Sequence, residues 1–151
     1  MLKLSKKMLF ALEAVVDIAY NSRTEPVQSK EITRRQGIPQ RYLEQVLQQM
    51  VHAGILKGVR GPRGGYRLAK ERRRLTVGEI VRVVSALEGN GDGKDAQVTS
   101  AMGTKVIKPL WDELLDDIMQ RLDAMTIEDL CDRATQSGVA RERRRTLDFT
   151  I

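Results

Sequence analysis

Residues 37–69 read Gly37-Ile38-Pro39-Gln40-Arg41-Tyr42-Leu43-Glu44-Gln45-Val46-Leu47-Gln48-Gln49-Met50-Val51-His52-Ala53-Gly54, then Ile55-Leu56-Lys57-Gly58-Val59-Arg60-Gly61-Pro62-Arg63-Gly64-Gly65-Tyr66-Arg67-Leu68-Ala69. The first part has helical spacing. Tyr42, Leu43, Val46, Leu47, Met50 and Val51 form one apolar stripe, leaving Gln40, Arg41, Glu44, Gln45, Gln48 and Gln49 outside it. Pro39 suits the first turn of this helix and Gly54 its end. The second part reads as two short strands, 55–60 and 66–69, around the loop Gly61-Pro62-Arg63-Gly64-Gly65. A polar-faced helix followed by a basic, glycine-rich hairpin is the pattern of a winged helix-turn-helix.

The flanking sequence fits. A short helix is predicted from Ser29, its expected cap, with Glu31 in the first turn and Gly37 as its stop. Two helices joined by a few residues around a glycine make a helix-turn-helix. Upstream, Ser5 caps a helix over 5–21, with Met8, Leu9, Leu12, Val15, Val16 and Ala19 as its apolar face. Lys3, Lys6 and Lys7 crowd its start, where the helix dipole disfavours cations. An approaching anion explains that placement, and so does a solvated basic end. Downstream, Thr76-Val77-Gly78-Glu79 is a capping box, with Leu75 and Ile80 as its staple, and starts a helix to about Glu88.

Beyond it the composition changes. Gly89 to Gly103 is polar and glycine-rich, and 89–107 is expected to be a flexible loop. A long helix is predicted to open near Pro109, with Leu110, Trp111, Leu114, Leu115, Ile118, Leu122 and Met125 along one side. Such a stripe either folds back on its own domain or pairs with a second copy, and the second arrangement is favoured. Thr126-Ile127-Glu128-Asp129 starts a last helix, through about Ala134. The expected fold is therefore mainly α: a winged helix-turn-helix domain with a two-stranded wing (1–88), the loop (89–107), a dimerisation helix with a short following helix (108–137) and a basic tail (138–151).

Charge separates the same parts. Residues 1–75 hold 16 Lys/Arg against 6 Asp/Glu, and residues 76–140 hold 6 against 12. A basic half suits a polyanion, because neutralised phosphates release counterions. One cysteine, Cys131, and one histidine, His52, exclude an internal disulfide and a multi-ligand zinc or cluster site within one chain. His52 has no candidate nucleophile near it and reads as a solvated helix-end residue, so an enzyme is disfavoured. No apolar run approaches the ~18 residues of a membrane span. With no cleavage-type signal at the start, a cytoplasmic chain without membrane contact is expected.

The major groove admits one helix, whose exposed side chains near its N-terminus can bond base edges. Here those are Gln40, Arg41, Glu44, Gln45 and Gln48, with Tyr42 placed to offer its hydroxyl to a phosphate. Arginine suits guanine, glutamine suits adenine and glutamate accepts from the cytosine amine. At the hairpin tip Gly61, Gly64 and Gly65 allow close backbone approach, and Arg60, Arg63 and Arg67 can reach phosphates or the minor groove. The expected partner is double-stranded DNA. The runner-up is a winged helix that docks another protein, which would gain nothing obvious from the basic half.

These residues resemble a known family. Lys3-Leu4-Ser5-Lys6-Lys7, Tyr42-Leu43-Glu44-Gln45, Val59-Arg60-Gly61-Pro62-Arg63-Gly64-Gly65-Tyr66 and Thr76-Val77-Gly78-Glu79-Ile80 are similar to segments of the IscR/Rrf-type winged-helix transcription factors. Pro109-Leu110-Trp111 and Met125-Thr126-Ile127-Glu128-Asp129-Leu130 resemble that family's dimerisation helix and its following segment. The resemblance spans about 2–134. It implies a homodimer on a palindromic operator, with Arg41, Glu44 and Gln45 at base-reading positions and Arg60 at the wing position. A dimer across a promoter blocks polymerase by occupancy, so a repressor is expected ahead of an activator. Many members hold an iron–sulfur cluster through cysteines before the long helix. Residues 96–107 contain neither cysteine nor histidine, and Val98, Met102 and Thr104 stand where ligands are expected. No cofactor or metal is therefore carried over. Members without these cysteines include a repressor of cysteine metabolism controlled by a partner enzyme, so the signal is left open as a protein or a small molecule.

Overall fold

The computed structural model describes residues 4–22, 25–89 and 99–141. Its order is α1 (Lys6–Asn21), α2 (Ser29–Gln36), α3 (Gln40–His52), β1 (Leu56–Val59), β2 (Gly65–Leu68), α4 (Val77–Gly89), a π-helical turn (Gly103–Ile107), α5 (Lys108–Ala124) and α6 (Ile127–Gln136). The expected fold class is observed. Lys3, residues 90–98 of the expected loop and residues 142–151 of the basic tail lie outside the described residues.

Ser5 caps α1 as expected, accepting from the Met8 amide at 3.1 Å. The α1 face that packs inward carries Ala11, Ala14, Val15 and Ile18, all fully buried. Small alanines there let neighbouring helices come close. Leu9, expected on that face, is 38% exposed; it lies about 100° around the helix from Met8. The cap of α2 is Gln28 rather than Ser29. Its backbone N–H donates to the Glu31 carboxylate at 2.8 Å, so the chain enters the helix one residue earlier than Ser29 suggests. Gly37 ends α2 at φ 68°, a left-handed angle that a side chain resists. Pro39 caps α3 instead of occupying its first turn.

The buried face of α3 is Leu43, Val46, Leu47 and Met50, spaced i, i+3, i+4 and i+7. That set already fills one helix face. Tyr42 and Val51, expected in the stripe, flank it on opposite sides and are 57% and 37% exposed. β1 and β2 pair antiparallel, Leu56 with Leu68 and Val59 with Gly65. A further rung comes from the α1–α2 connection, where Val27 and Tyr66 exchange both backbone bonds at 3.0 and 2.8 Å.

The capping box of α4 forms as the sequence predicts, with Glu79 N–H to Thr76 Oγ1 and Thr76 N–H to Glu79 Oε2, both at 3.2 Å. Leu75 and Ile80 are fully buried beside it. Thr126 and Asp129 form the same box on α6. The two boxes abut through an antiparallel bridge, Val77 N–H to Met125 O and Ile127 N–H to Leu75 O. Through it α6 returns to α1, placing Ile127 and Cys131 in the core with no exposed surface. Tyr20 of α1 donates its hydroxyl to Val139 O at 2.7 Å beyond the end of α6.

The long helix begins earlier than Pro109. Ala101 and Met102 are already helical, and Gly103–Ile107, expected in the loop, is a π turn leading without a break into α5. A proline inside an α-helix clashes with the carbonyl four residues back, and the wider turn relieves that clash. Among the described residues, no helix is long and apolar enough to cross a membrane.

Candidate nucleic-acid interface

The outer face of α3 follows from its inner face. With Leu43, Val46, Leu47 and Met50 fixed inward, Arg41, Glu44, Gln45 and Gln48 are exposed together on the opposite side, with Tyr42 exposed at the edge between the two faces. Gln40 is different. It is half-buried, and its amide is engaged across the turn with α2: it donates to Ser29 Oγ at 3.1 Å and accepts from Thr33 Oγ1 at 2.9 Å. It also donates to Glu44 Oε1 at 3.0 Å.

The wing is held to this unit at two points. Ile55 N–H bonds Met50 O at 3.0 Å, tying the first strand to the end of α3. The Val27–Tyr66 rung ties the second strand to the start of α2. Arg60, Gly61 and Arg63 at the tip are exposed. The glycines there have an internal reason to be glycines. A Cβ on Gly64 would sit 2.2 Å from Val59 O, and one on Gly65 would sit 2.4 Å from Val27 O. Helix, turn and wing thus form one body, with Arg41, Glu44, Gln45 and Gln48 on one projection and Arg60 and Arg63 on another. Lys6 and Lys7 lie in the first turn of α1, Lys6 exposed and Lys7 half-buried.

An ion pair missing from the sequence reading braces α2 from behind. Asp17 of α1, with its carboxylate fully buried, accepts from Arg35 Nε at 2.9 Å and Nη2 at 2.7 Å, and from Gln36 Nε2 at 2.7 Å. Arginine and carboxylate match as a two-bond fork, which fixes orientation as well as distance. A buried Asp between Val16 and Ile18 carries no local signal of its partner. The basic run after the wing is partly spent on its own neighbours: Lys70 bonds Glu79 and Arg73 bonds Glu71.

Of the apolar side of the long helix, Leu110, Trp111 and Leu114 are exposed, at 50%, 40% and 43%. The exposure continues upstream to Met102, Val106 and Ile107, which the sequence reading did not place in a helix. Leu115 and Ile118 are half-buried, whereas Leu122 and Met125 pack against the core of their own chain. The only cysteine of the chain, Cys131, is inside that core, and burial pushes its thiol above the ordinary range. An iron–sulfur cluster needs several thiolate or imidazole ligands. This donor set does not fit one, and among the described residues no group of three or more His, Cys, Asp or Glu is placed to hold a metal ion.

Comparison with known proteins agrees with this geometry. The Rrf2 family model, described as an iron-dependent transcriptional regulator, matches residues 4–133. The HTH-type transcriptional regulator IscR of Enterobacter sp. (strain 638) is 34% identical over 137 residues, covering 85% of this chain and 79% of that protein. The structure of T. potens IscR superposes with a TM-score of 0.74 at 34% identity, covering 93% of this chain and 94% of that one. CymR (YrzC), the global cysteine regulator of B. subtilis, gives 0.72 at 31% identity over 88% of this chain and 98% of its own. With its helix-turn-helix and basic wing, the chain belongs to the Rrf2 family of DNA-binding transcriptional regulators.

Proposed function

We propose that the protein is a homodimeric repressor that binds a palindromic operator and works without an iron–sulfur cluster. The carrying observation is the joint exposure of a polar reading face on α3 and an apolar stripe, Leu110, Trp111 and Leu114, on α5. A monomer leaves that stripe in water, at roughly 25 cal/mol for each Å² that a second copy would cover. Pairing two copies through α5 presents two reading helices, and two-fold symmetry in the protein is matched by a palindrome in the DNA. Occupancy of a promoter by the dimer excludes polymerase. Base choice is assigned to Arg41, Glu44, Gln45 and Gln48, and backbone grip to Arg60, Arg63, Lys6 and Lys7. The signal is assigned to a partner protein or small molecule, as the donor set for a cluster is missing.

Sedimentation of the full chain tests the dimer. Wild type should sediment as a dimer and Trp111→Asp/Leu114→Asp as a folded monomer with weakened operator binding. A variant that remains dimeric would remove α5 from this role. Anaerobically purified protein should be colourless, and stoichiometric iron with visible absorption would overturn the cluster-free reading.

A further inference from the structure

Ser29 and Thr33 lie one turn apart on α2, and Gln40 and Glu44 one turn apart on α3. The four side chains meet across the turn. Gln40 Nε2 is 3.1 Å from Ser29 Oγ and 3.0 Å from Glu44 Oε1, and Gln40 Oε1 is 2.9 Å from Thr33 Oγ1. The chemistry leaves one orientation for the amide. Ionised glutamate can only accept, so the atom facing it is the amide nitrogen. The amide oxygen then faces Thr33, and the threonine hydroxyl donates to it. Both amide N–H groups are used, one on Ser29 and one on Glu44. Gln40 keeps no donor for a base edge, although its place at the start of α3 suggests a base contact.

We propose that Gln40 is a positioning residue for specificity: anchored to Ser29 and Thr33, it holds the Glu44 carboxylate in a fixed pose before DNA arrives. The inference rests on the reading above, in which Glu44 faces base edges. A free glutamate side chain loses rotamer freedom when it is fixed against a base. Here that freedom is already restricted by a bond to the neighbouring helix. One carboxylate oxygen is held and the other is left open on the exposed face. An aimed acceptor favours a base that offers an amine in the major groove, cytosine or adenine, and repels one that offers only acceptors. A mobile carboxylate would swing away from the wrong base and discriminate less. Selectivity at this base pair therefore depends on Thr33, a residue of the preceding helix.

The test uses the full-length chain and duplexes selected from a random-sequence pool. Glu44→Ala first identifies the base pair at which preference is lost. At that pair, Gln40→Ala and Thr33→Val should each lower the preferred-to-changed affinity ratio by about fivefold, within the range of one base contact. Thr33→Ser keeps the donor and should restore the ratio. In the Glu44→Ala background, adding Gln40→Ala should change nothing further at that pair. The dependence of affinity on salt is set by lysine and arginine contacts and should keep the wild-type slope in these variants. One that docks differently would alter it, and one that folds badly would lose affinity for every duplex by the same factor and leave the ratio unchanged. If Glu44→Ala changes base preference while Gln40→Ala and Thr33→Val do not, the positioning role is wrong and the groove reading stands. If Gln40→Ala costs more selectivity in the Glu44→Ala background, Gln40 touches the base itself and the proposal fails. If Glu44→Ala leaves every preference intact, the groove reading falls and the proposal with it.

Discussion

Arg82 on α4 and Asp123 near the end of α5 form a parallel two-bond pair, with Nη1–Oδ1 and Nη2–Oδ2 both at 2.6 Å. The guanidinium holds the Asp123 carboxyl below its ordinary 3.8, and the carboxylate raises the arginine in turn. Asp123 therefore contributes stability above that ordinary value, and the contribution is lost as pH falls through the lowered one. The pair is exposed and its contribution small. Its position matters more, because Gly78 lies beneath it. A Cβ there would stand 1.9 Å from Asp123 Oδ1.

Gly78→Ala and Gly65→Ala should therefore differ. At Gly78 the nearest obstacle is a side-chain oxygen that can swing out, at the expense of the Arg82 pair. At Gly65 it is the Val27 carbonyl, part of a backbone rung that cannot yield without releasing the wing. Overpacking costs about 1–3 kcal/mol. Urea unfolding should place Gly65→Ala at or above the top of that range and Gly78→Ala near the bottom. Equal losses would show that the wing does not depend on Val27.

Arg60→Ala and Arg63→Ala should weaken binding to all duplexes alike, each reducing the salt slope by about one. A change of sequence preference with an intact slope would move these side chains from phosphates to bases. Titration of one duplex at several salt concentrations separates the two.

Glu13 faces a cleft of about 480 Å³ between α1, α2 and α6, beside Leu12, Val16, Leu130 and Ala134. Burial raises its carboxyl above the ordinary 4.5. For a raised carboxyl, stability is full below the unfolded value and is lost as pH rises through the folded one. Glu13→Gln, neutral throughout, should melt higher than wild type at about pH 7 and equal to it at about pH 3. A difference that persists in acid would indicate a packing effect instead.

Ile127→Ala should cost about 2–5 kcal/mol although it lies outside the reading unit, because its side chain is fully buried. Thr126→Ala removes a cap and should cost about 1 kcal/mol. Both are read by urea unfolding of the full chain. A loss confined to α5 and α6, with the helix-turn-helix still protected in hydrogen exchange, would contradict a shared core.

Local signals carried far in this sequence. Gly37 needs a left-handed angle, Thr76 and Glu79 cap each other within three residues, and Leu43, Val46, Leu47 and Met50 repeat at helical spacing; each is legible because its cause is local. Non-local pairings were not legible. Val27 meets Tyr66 across most of the reading unit, Asp17 meets Arg35 between helices, and Thr33 meets Gln40 across a turn. None leaves a periodic trace. Apolarity marks a helix face but not its edge, so Tyr42 gives no sign of its exposure, and glycine and proline normally end helices rather than widen them, so the π turn at Gly103–Ile107 is equally silent. The exposed polar set of α3, Arg41, Glu44, Gln45 and Gln48, was legible from spacing, but the commitment of Gln40 to α2 required three dimensions.

The bridge between Leu75 and Ile127 also bears on how such regulators can be recombined. The chain leaves the reading unit as α4, runs out through α5 and returns as α6, so the N-terminal part lacks a wall of its own interior until residue 131 is in place. A chimera joined near residue 89 would set Leu75, Ile80 and Val15 against a foreign Ile127 and Cys131. On the proposed reading of α3, transplanting recognition between relatives calls for surface grafting on α2 and α3, with the hydrogen-bonded Ser29, Thr33, Gln40 and Glu44 moved as a set.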